Sequence, residues 1–186
     1  CNPTGSVYNQ QELEALAKVL RQPPNIIILS DEIYEYINFT SIPHTSFAAI
    51  EGMYERTITI NGLSKAFAMT GWRIGYLAAP EWIAKACNKV QGQITSGTNA
   101  IAQRAAIAAL KAPKSEIQYM IDEFKKRRDL VLSLLSEVEG LKVNVPEGAF
   151  YVFPDVSSFF GKTLRGRTIR NASDFSLYLL EEAMVA

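Results

Sequence analysis

What the chain has little of narrows its function first. Two cysteines, Cys1 and Cys87, cannot build a disulfide framework in 186 residues, which sets aside the small stapled secreted scaffolds. A single histidine, His44, leaves no spacing of metal ligands, and its loop setting predicts a surface residue rather than a ligand or a base. Neither charge sign is in excess, with 19 Lys plus Arg against 19 Asp plus Glu, so neither nucleic acid nor an anionic membrane is an expected partner. No apolar run reaches the roughly 18 residues of a membrane span, and no basic-then-apolar leader precedes the first helix. Internal repeats and low-complexity segments are absent too. Together these absences predict a cytoplasmic protein with a small-molecule partner. The chain opens on Cys1 and stops at Glu181-Glu182-Ala183-Met184-Val185-Ala186 without a helix stop, and is therefore expected to be a fragment.

What is present is a patterned globular chain, 48% hydrophobic, long enough to bury a core. Asn9-Gln10-Gln11-Glu12 reads as a capping box ahead of a helix over about 10–21, which Pro23-Pro24 ends. The unbroken run Asn25 to Ser30 predicts a parallel strand covered on both faces by helices. Strands are expected from Arg56 to Ile60 and from Arg73 to Ala79, the short return between them arguing that one is antiparallel. Two helices follow. The first starts at Pro80 with Ile83, Cys87, Val90 and Ile94 on one face, and the second, alanine-rich, spans about 99–111. A capping box from Ser115 to Gln118 then opens a long helix closing at Gly140, about 36 Å at 1.5 Å per residue, which reads as an interdomain connector. Beyond it the pattern predicts strands over 141–145 and 149–156, a solvated basic loop from Lys162 to Arg170, and a last helix capped by Ser173.

The chemistry gathers around Ser64-Lys65-Ala66-Phe67-Ala68-Met69-Thr70-Gly71-Trp72-Arg73. It sets a reactive amine beside a hydroxyl, with a guanidinium eight residues on. A lysine beside a serine is ordinarily a solvated loop tip. Upstream, however, stand Asn2-Pro3-Thr4-Gly5 and Asp31-Glu32-Ile33-Tyr34, the latter at the carboxyl end of a predicted strand, where open α/β sheets bind ligands. Downstream lies Pro146-Glu147-Gly148-Ala149-Phe150-Tyr151-Val152-Phe153-Pro154-Asp155.

These four ordered motifs resemble the fold-type I pyridoxal-phosphate enzymes, specifically the class I aminotransferases of the aspartate aminotransferase family. The resemblance implies an α/β fold: part of the mixed-sheet large domain over residues 1–112, then the connector helix and part of an α+β small domain over 113–186. It implies pyridoxal 5′-phosphate as cofactor, with Lys65 as the Schiff-base amine and proton carrier. Asp31 would sit against the pyridine nitrogen, Asn2 and Tyr34 would donate to the ring 3-oxygen, Ser64 and Arg73 would hold the phosphate, and Ile33 would press on the ring. Ser96 to Asn99 would lie near a neighbouring subunit's cofactor in a homodimer, or act as a helix cap. The implied reaction is ping-pong transfer of an amino group from an amino acid, such as aspartate, to a 2-oxo acid. In that family the Gly-rich phosphate turn and the aromatic that stacks on the ring precede Asn2, and the α-carboxylate arginine follows Ala186, so the chain alone is expected to be inert. Two rivals share the fold: a carbon–sulfur lyase or cyclopropane-carboxylate synthase, and a non-catalytic regulatory domain.

Overall fold

A computed structural model gives the structure of the protein and describes residues 1–185. Helix α1 spans Gln10–Leu20 and starts as its sequence dictates. Asn9 Oδ1 accepts from the Glu12 amide at 3.0 Å, and Glu12 Oε2 accepts from the Asn9 amide at 2.9 Å. Leu13 and Ala17, one turn apart, are buried against Phe47, Ile50 and Met53 in one small apolar core.

Strands β1 (Ile28–Asp31), β2 (Thr57–Gly62) and β3 (Gly75–Ala78) form a mixed sheet in that order. β1 runs parallel to β2, with Asp31 opposite Ile60, and β3 runs antiparallel to it, with Gly75 opposite Gly62. The mixed α/β layer is the expected one, but its coverage is not. Leu29 is 65% exposed, so one face of β1 stays open among the described residues while α1 and the 47–53 segment pack against the other. Arg73 is not in β3 either. It follows a 3-10 turn at Thr70–Trp72 and takes a left-handed conformation with φ 52°, which delays the strand to Gly75.

Helices α2 (Glu81–Ile94) and α3 (Ala100–Lys111) follow. Only Ile83 of the predicted α2 stripe is buried; Val90 and Ile94 face outward. Asn99 Oδ1 caps α3 through the Ala102 amide at 3.0 Å, and Ala106 packs under Leu63 and Met69.

Helix α4 covers Ser115–Ser136, 22 residues or about 33 Å. The predicted Ser115–Gln118 box does not form, because Lys114 already has helical dihedrals at the capping position and Gln118 Nε2 donates instead to Asp122 Oδ1 at 2.9 Å. The helix ends before Gly140, which turns the chain at φ +95°.

The predicted strands beyond it shrink to β4 (Lys142–Val143) and β5 (Pro154–Asp155), paired antiparallel. The segment between them pairs elsewhere. The Ala149 amide donates to the Ile37 carbonyl, and the Phe39 amide to that of Glu147, each at 2.8 Å. The amides of Glu147 and Gly148 both donate to the Gly5 carbonyl at 2.9 Å, and Asn144 Nδ2 donates to the Thr4 carbonyl at 2.9 Å. Three distant segments are thus clasped through backbone atoms.

The basic stretch is a hairpin rather than a loop, β6 (Thr163–Leu164) with β7 (Arg167–Thr168). Its arginines pair with helix α5 (Ala172–Ala183): Arg165 with Glu182, Arg167 with Glu181 and Arg170 with Asp174. The α5 cap is Asn171, not Ser173, since Asn171 is extended and its Oδ1 accepts from the Asp174 amide at 2.9 Å. Among the described residues no helix is long and apolar enough to cross a membrane, and no cluster of metal-ligating side chains occurs.

Candidate active site

The sheet register decides which side chains can meet. Because β1 and β2 run together and β3 starts opposite the end of β2, the chain leaves or enters all three strands at one edge. That edge receives Asp31 and Tyr34 after β1, Ser64 and Lys65 after β2, and Arg73 just before β3. A Cβ on Gly62 would stand 3.1 Å from Gly75 Cα and 3.2 Å from Ile33 Cδ1, so the glycine there lets the two strands and Ile33 close together.

Asn2 reaches the edge through the backbone clasp. Its Nδ2 donates to the Tyr151 phenol oxygen at 3.3 Å, and the Tyr34 phenol lies 2.5 Å from that same oxygen. Phe150 packs edge-on against Tyr34 with ring centroids 5.5 Å apart, and Lys65 Nζ lies 5.7 Å from the Phe150 centroid. Phe124 of α4 stacks on Phe150 at 5.0 Å and supports it from behind. Burial pushes the Tyr34 phenol well above its ordinary range, and the Tyr151 hydrogen bond with the negative charge of Asp31 adds to this. Tyr34 therefore stays protonated at neutral pH and remains a hydrogen-bond donor.

Asp31 Oδ1 accepts from the Ile33 amide at 3.3 Å. With Tyr34 it borders a cavity of about 110 Å³ that also touches Ser6, Glu32, Glu35 and His44. Ser64 is half-buried and Arg73 exposed. Arg73 Nη1 donates to the Thr70 carbonyl at 2.9 Å, and among the described residues neither Arg73 nor Ser64 bonds to Asp31, Tyr34 or Lys65. Asn99 is the α3 cap and borders a shallow surface hollow with Arg73.

Sequence reasoning assigned no role to Tyr151 and Phe150, although both lie in a motif it singled out; their contacts with Asn2 and Tyr34 span more than a hundred residues and leave no local periodicity. His44 lies at the surface as expected, yet its Nε2 donates to the buried Glu32 Oε2 at 3.0 Å. Nothing near His44 in sequence signals a partner twelve residues upstream.

Chemically, the edge offers an amine with nucleophilic and proton-carrying capacity, a carboxylate that can hold a positive charge, and an amide and phenols that can donate to an anionic oxygen. A guanidinium and a hydroxyl suited to a phosphate complete the set.

Comparison with known proteins identifies the family of the chain. The family model described as aminotransferase class I and II matches residues 1–186. The bifunctional aspartate aminotransferase and glutamate/aspartate-prephenate aminotransferase of Petunia hybrida is 47% identical over 189 residues, a match covering all of this chain and 40% of that protein. The aspartate/prephenate aminotransferase of Cereibacter sphaeroides is 46% identical over 187 residues, covering all of this chain and 47% of the relative. The crystal structure of the aspartate aminotransferase from Rhizobium meliloti superposes with a TM-score of 0.95 at 41% identity, over all of this chain and 47% of that one. The chain spans less than half the length of these proteins.

Proposed function

The chain belongs to the class I and II aminotransferase family, and from that premise we propose that the polypeptide containing it is a pyridoxal-phosphate-dependent aminotransferase. It would move an amino group from an amino acid, aspartate first among the candidates, to a 2-oxo acid. The names of the matched relatives support aspartate, and support amino transfer over carbon–sulfur lysis. The observation that carries the reading is the meeting of Lys65, Asp31 and the Asn2–Tyr151–Tyr34 cluster at one sheet edge.

Pyridoxal phosphate, when bound, supplies an electron sink for charge developing at the substrate α-carbon. The residues of this chain do the rest. Lys65 anchors the cofactor and carries a proton to and from the reacting carbon. Asp31 keeps positive charge on the ring nitrogen by its own negative charge. Tyr34, held protonated by its surroundings, and Asn2 donate to the ring oxygen, with Tyr151 orienting both. Ser64 and Arg73 would hold the phosphate, the guanidinium supplying charge-assisted hydrogen bonds. A second copy of the polypeptide and a cytoplasmic setting belong to the same proposal. So does a division near residue 112, with α4 as the connector.

The test is reduction of the cofactor-loaded full polypeptide with borohydride, followed by peptide mapping. Modification at Lys65 is expected. Modification at another lysine, or at none, would remove the proposal.

A further inference from the structure

Immediately after Asp31 the chain turns Glu32 inward, where it is 7% exposed. Four donors converge on its carboxylate. Ser30 Oγ and Ser46 Oγ each donate to Oε1 at 2.9 Å, the Phe47 amide donates to Oε1 at 3.2 Å, and His44 Nε2 donates to Oε2 at 3.0 Å. The Glu32 backbone is tied as well, its amide donating to the Ile60 carbonyl at 2.8 Å and its carbonyl accepting from the Glu35 amide at 3.0 Å. Glu32 thus joins the end of β1, the 44–47 segment and the turn that carries Tyr34. The cavity bordered by Asp31 and Tyr34 is lined by Glu32, Glu35 and His44 as well.

We propose that Glu32 and His44 form a positioning clamp for this edge: the imidazole of His44 holds the Glu32 carboxylate through Nε2, and that carboxylate fixes the turn presenting Asp31 and Tyr34. Neither residue touches the reacting atoms. The consequence for the cofactor rests on the pyridoxal-phosphate reading above, whereas the clamp itself does not.

The charges around His44 favour the protonated ring. The hydrogen bond to Glu32 pushes its pKa up; burial opposes this, the negative charges of Glu32 and Glu35 add to it, and Lys114 at the head of α4 subtracts. Glu35 Oε2 lies 3.9 Å from His44 Nε2. Tyr36 and Tyr76 stand near Glu35 with phenols pushed up by burial and by that carboxylate, so both are neutral where His44 titrates. Burial alone would raise the Glu32 carboxyl, but its hydrogen bonds outweigh burial and hold it below the ordinary value. The clamp is therefore fully engaged below the ordinary histidine value of 6.5 and weakens as pH rises through the raised His44 titration.

The experiment uses the full polypeptide with His44→Gln, Glu32→Gln and Ser46→Ala. The imidazole proton resonance that disappears in His44→Gln identifies His44 in NMR spectra. It should titrate above the ordinary 6.5 in the parent and fall back toward it in Glu32→Gln. At pH 6, amide exchange at Glu32 and Ile33 should quicken about tenfold in His44→Gln, the size expected for losing a charged hydrogen bond. That difference should shrink above the His44 titration. Equilibrium dialysis of pyridoxal phosphate should show weaker binding in the same variant, with the same pH dependence. Unchanged exchange at pH 6 would overturn the clamp. Should His44→Gln fail to fold, Ser46→Ala serves instead: it keeps the charge pair and should quicken the same amides by less, and no change there would overturn the clamp equally. A parent that binds no cofactor, with the exchange effect intact, would sink the cofactor reading and leave the clamp standing.

Discussion

Two of the regions that carry charged pairs, the one beneath the sheet edge and the 163–182 hairpin and helix, differ in what surrounds them. Glu32 is buried, accepts from four protein donors, and sits next to Asp31. The hairpin pairs face solvent: Arg167 and Glu181 are 40% and 53% exposed, and Arg165 is 71% exposed. Water solvates the exposed ions almost as well alone as together, so those pairs add little. Removing the buried acceptor instead strands the buried Phe47 amide and breaks three further, partly buried bonds. Ion pairs therefore differ in how much stability they carry according to what surrounds them.

Substitutions can sharpen that contrast. The largest effect is expected from Asp31→Ala, which removes the charge at the edge itself; amino transfer by the full polypeptide should slow by about 10²–10³-fold in single-turnover kinetics, in line with other preorganised charges. A rate within a few-fold of the parent would mean that another group holds the ring nitrogen. Glu32→Ala should lower stability in urea unfolding by about 2–3 kcal/mol, since it leaves the buried Phe47 amide unpaired and removes three partly buried hydrogen bonds to a charged group. Arg167→Ala, its counterpart on the hairpin, should shift stability by less than about 0.5 kcal/mol in the same assay. Equal losses in the two variants would break the comparison.

Acidity offers a subtler probe. His44 has a raised pKa in the folded chain, so its contribution is complete below its ordinary 6.5 and fades as pH climbs through the raised value. Glu32 is depressed, so its contribution is complete above its ordinary 4.5 and fades as pH falls through the lowered value. The stability gap between the parent and His44→Gln should be widest between about pH 4.5 and 6.5 and narrow on either side, as read from urea midpoints.

Features encoded within a few residues were legible in the sequence. The Asn9–Glu12 box needs only a four-residue window, and it forms. Even local signals competed where two capping residues stood close together: Asn171 won over Ser173 because its extended backbone presents the side chain to the Asp174 amide. The mixed sheet was readable from apolar runs and a short return, but the open face of β1 was not, since periodicity reports that a face is apolar and not what covers it. At the site, the order of Asn2, Asp31, Tyr34, Lys65 and Arg73 was visible as motifs. The Tyr151 bridge between Asn2 and Tyr34, and the Glu32–His44 contact, depend on tertiary proximity alone.

The clasp between Gly5, the 144–149 segment and the 37–39 segment is written mainly in amides and carbonyls. Its tightness is set at Gly5, where φ is +71° and an added Cβ would lie 2.4 Å from Pro146 Cβ. Such a joint is indifferent to most side chains but intolerant of chain length. Exchanging Glu147 for another residue leaves its amide and carbonyl in place, whereas inserting or deleting one residue between Asn144 and Tyr151 would slide the phenol out of step with Asn2 and Tyr34. Length variants, rather than point variants, are therefore what this part of the molecule excludes.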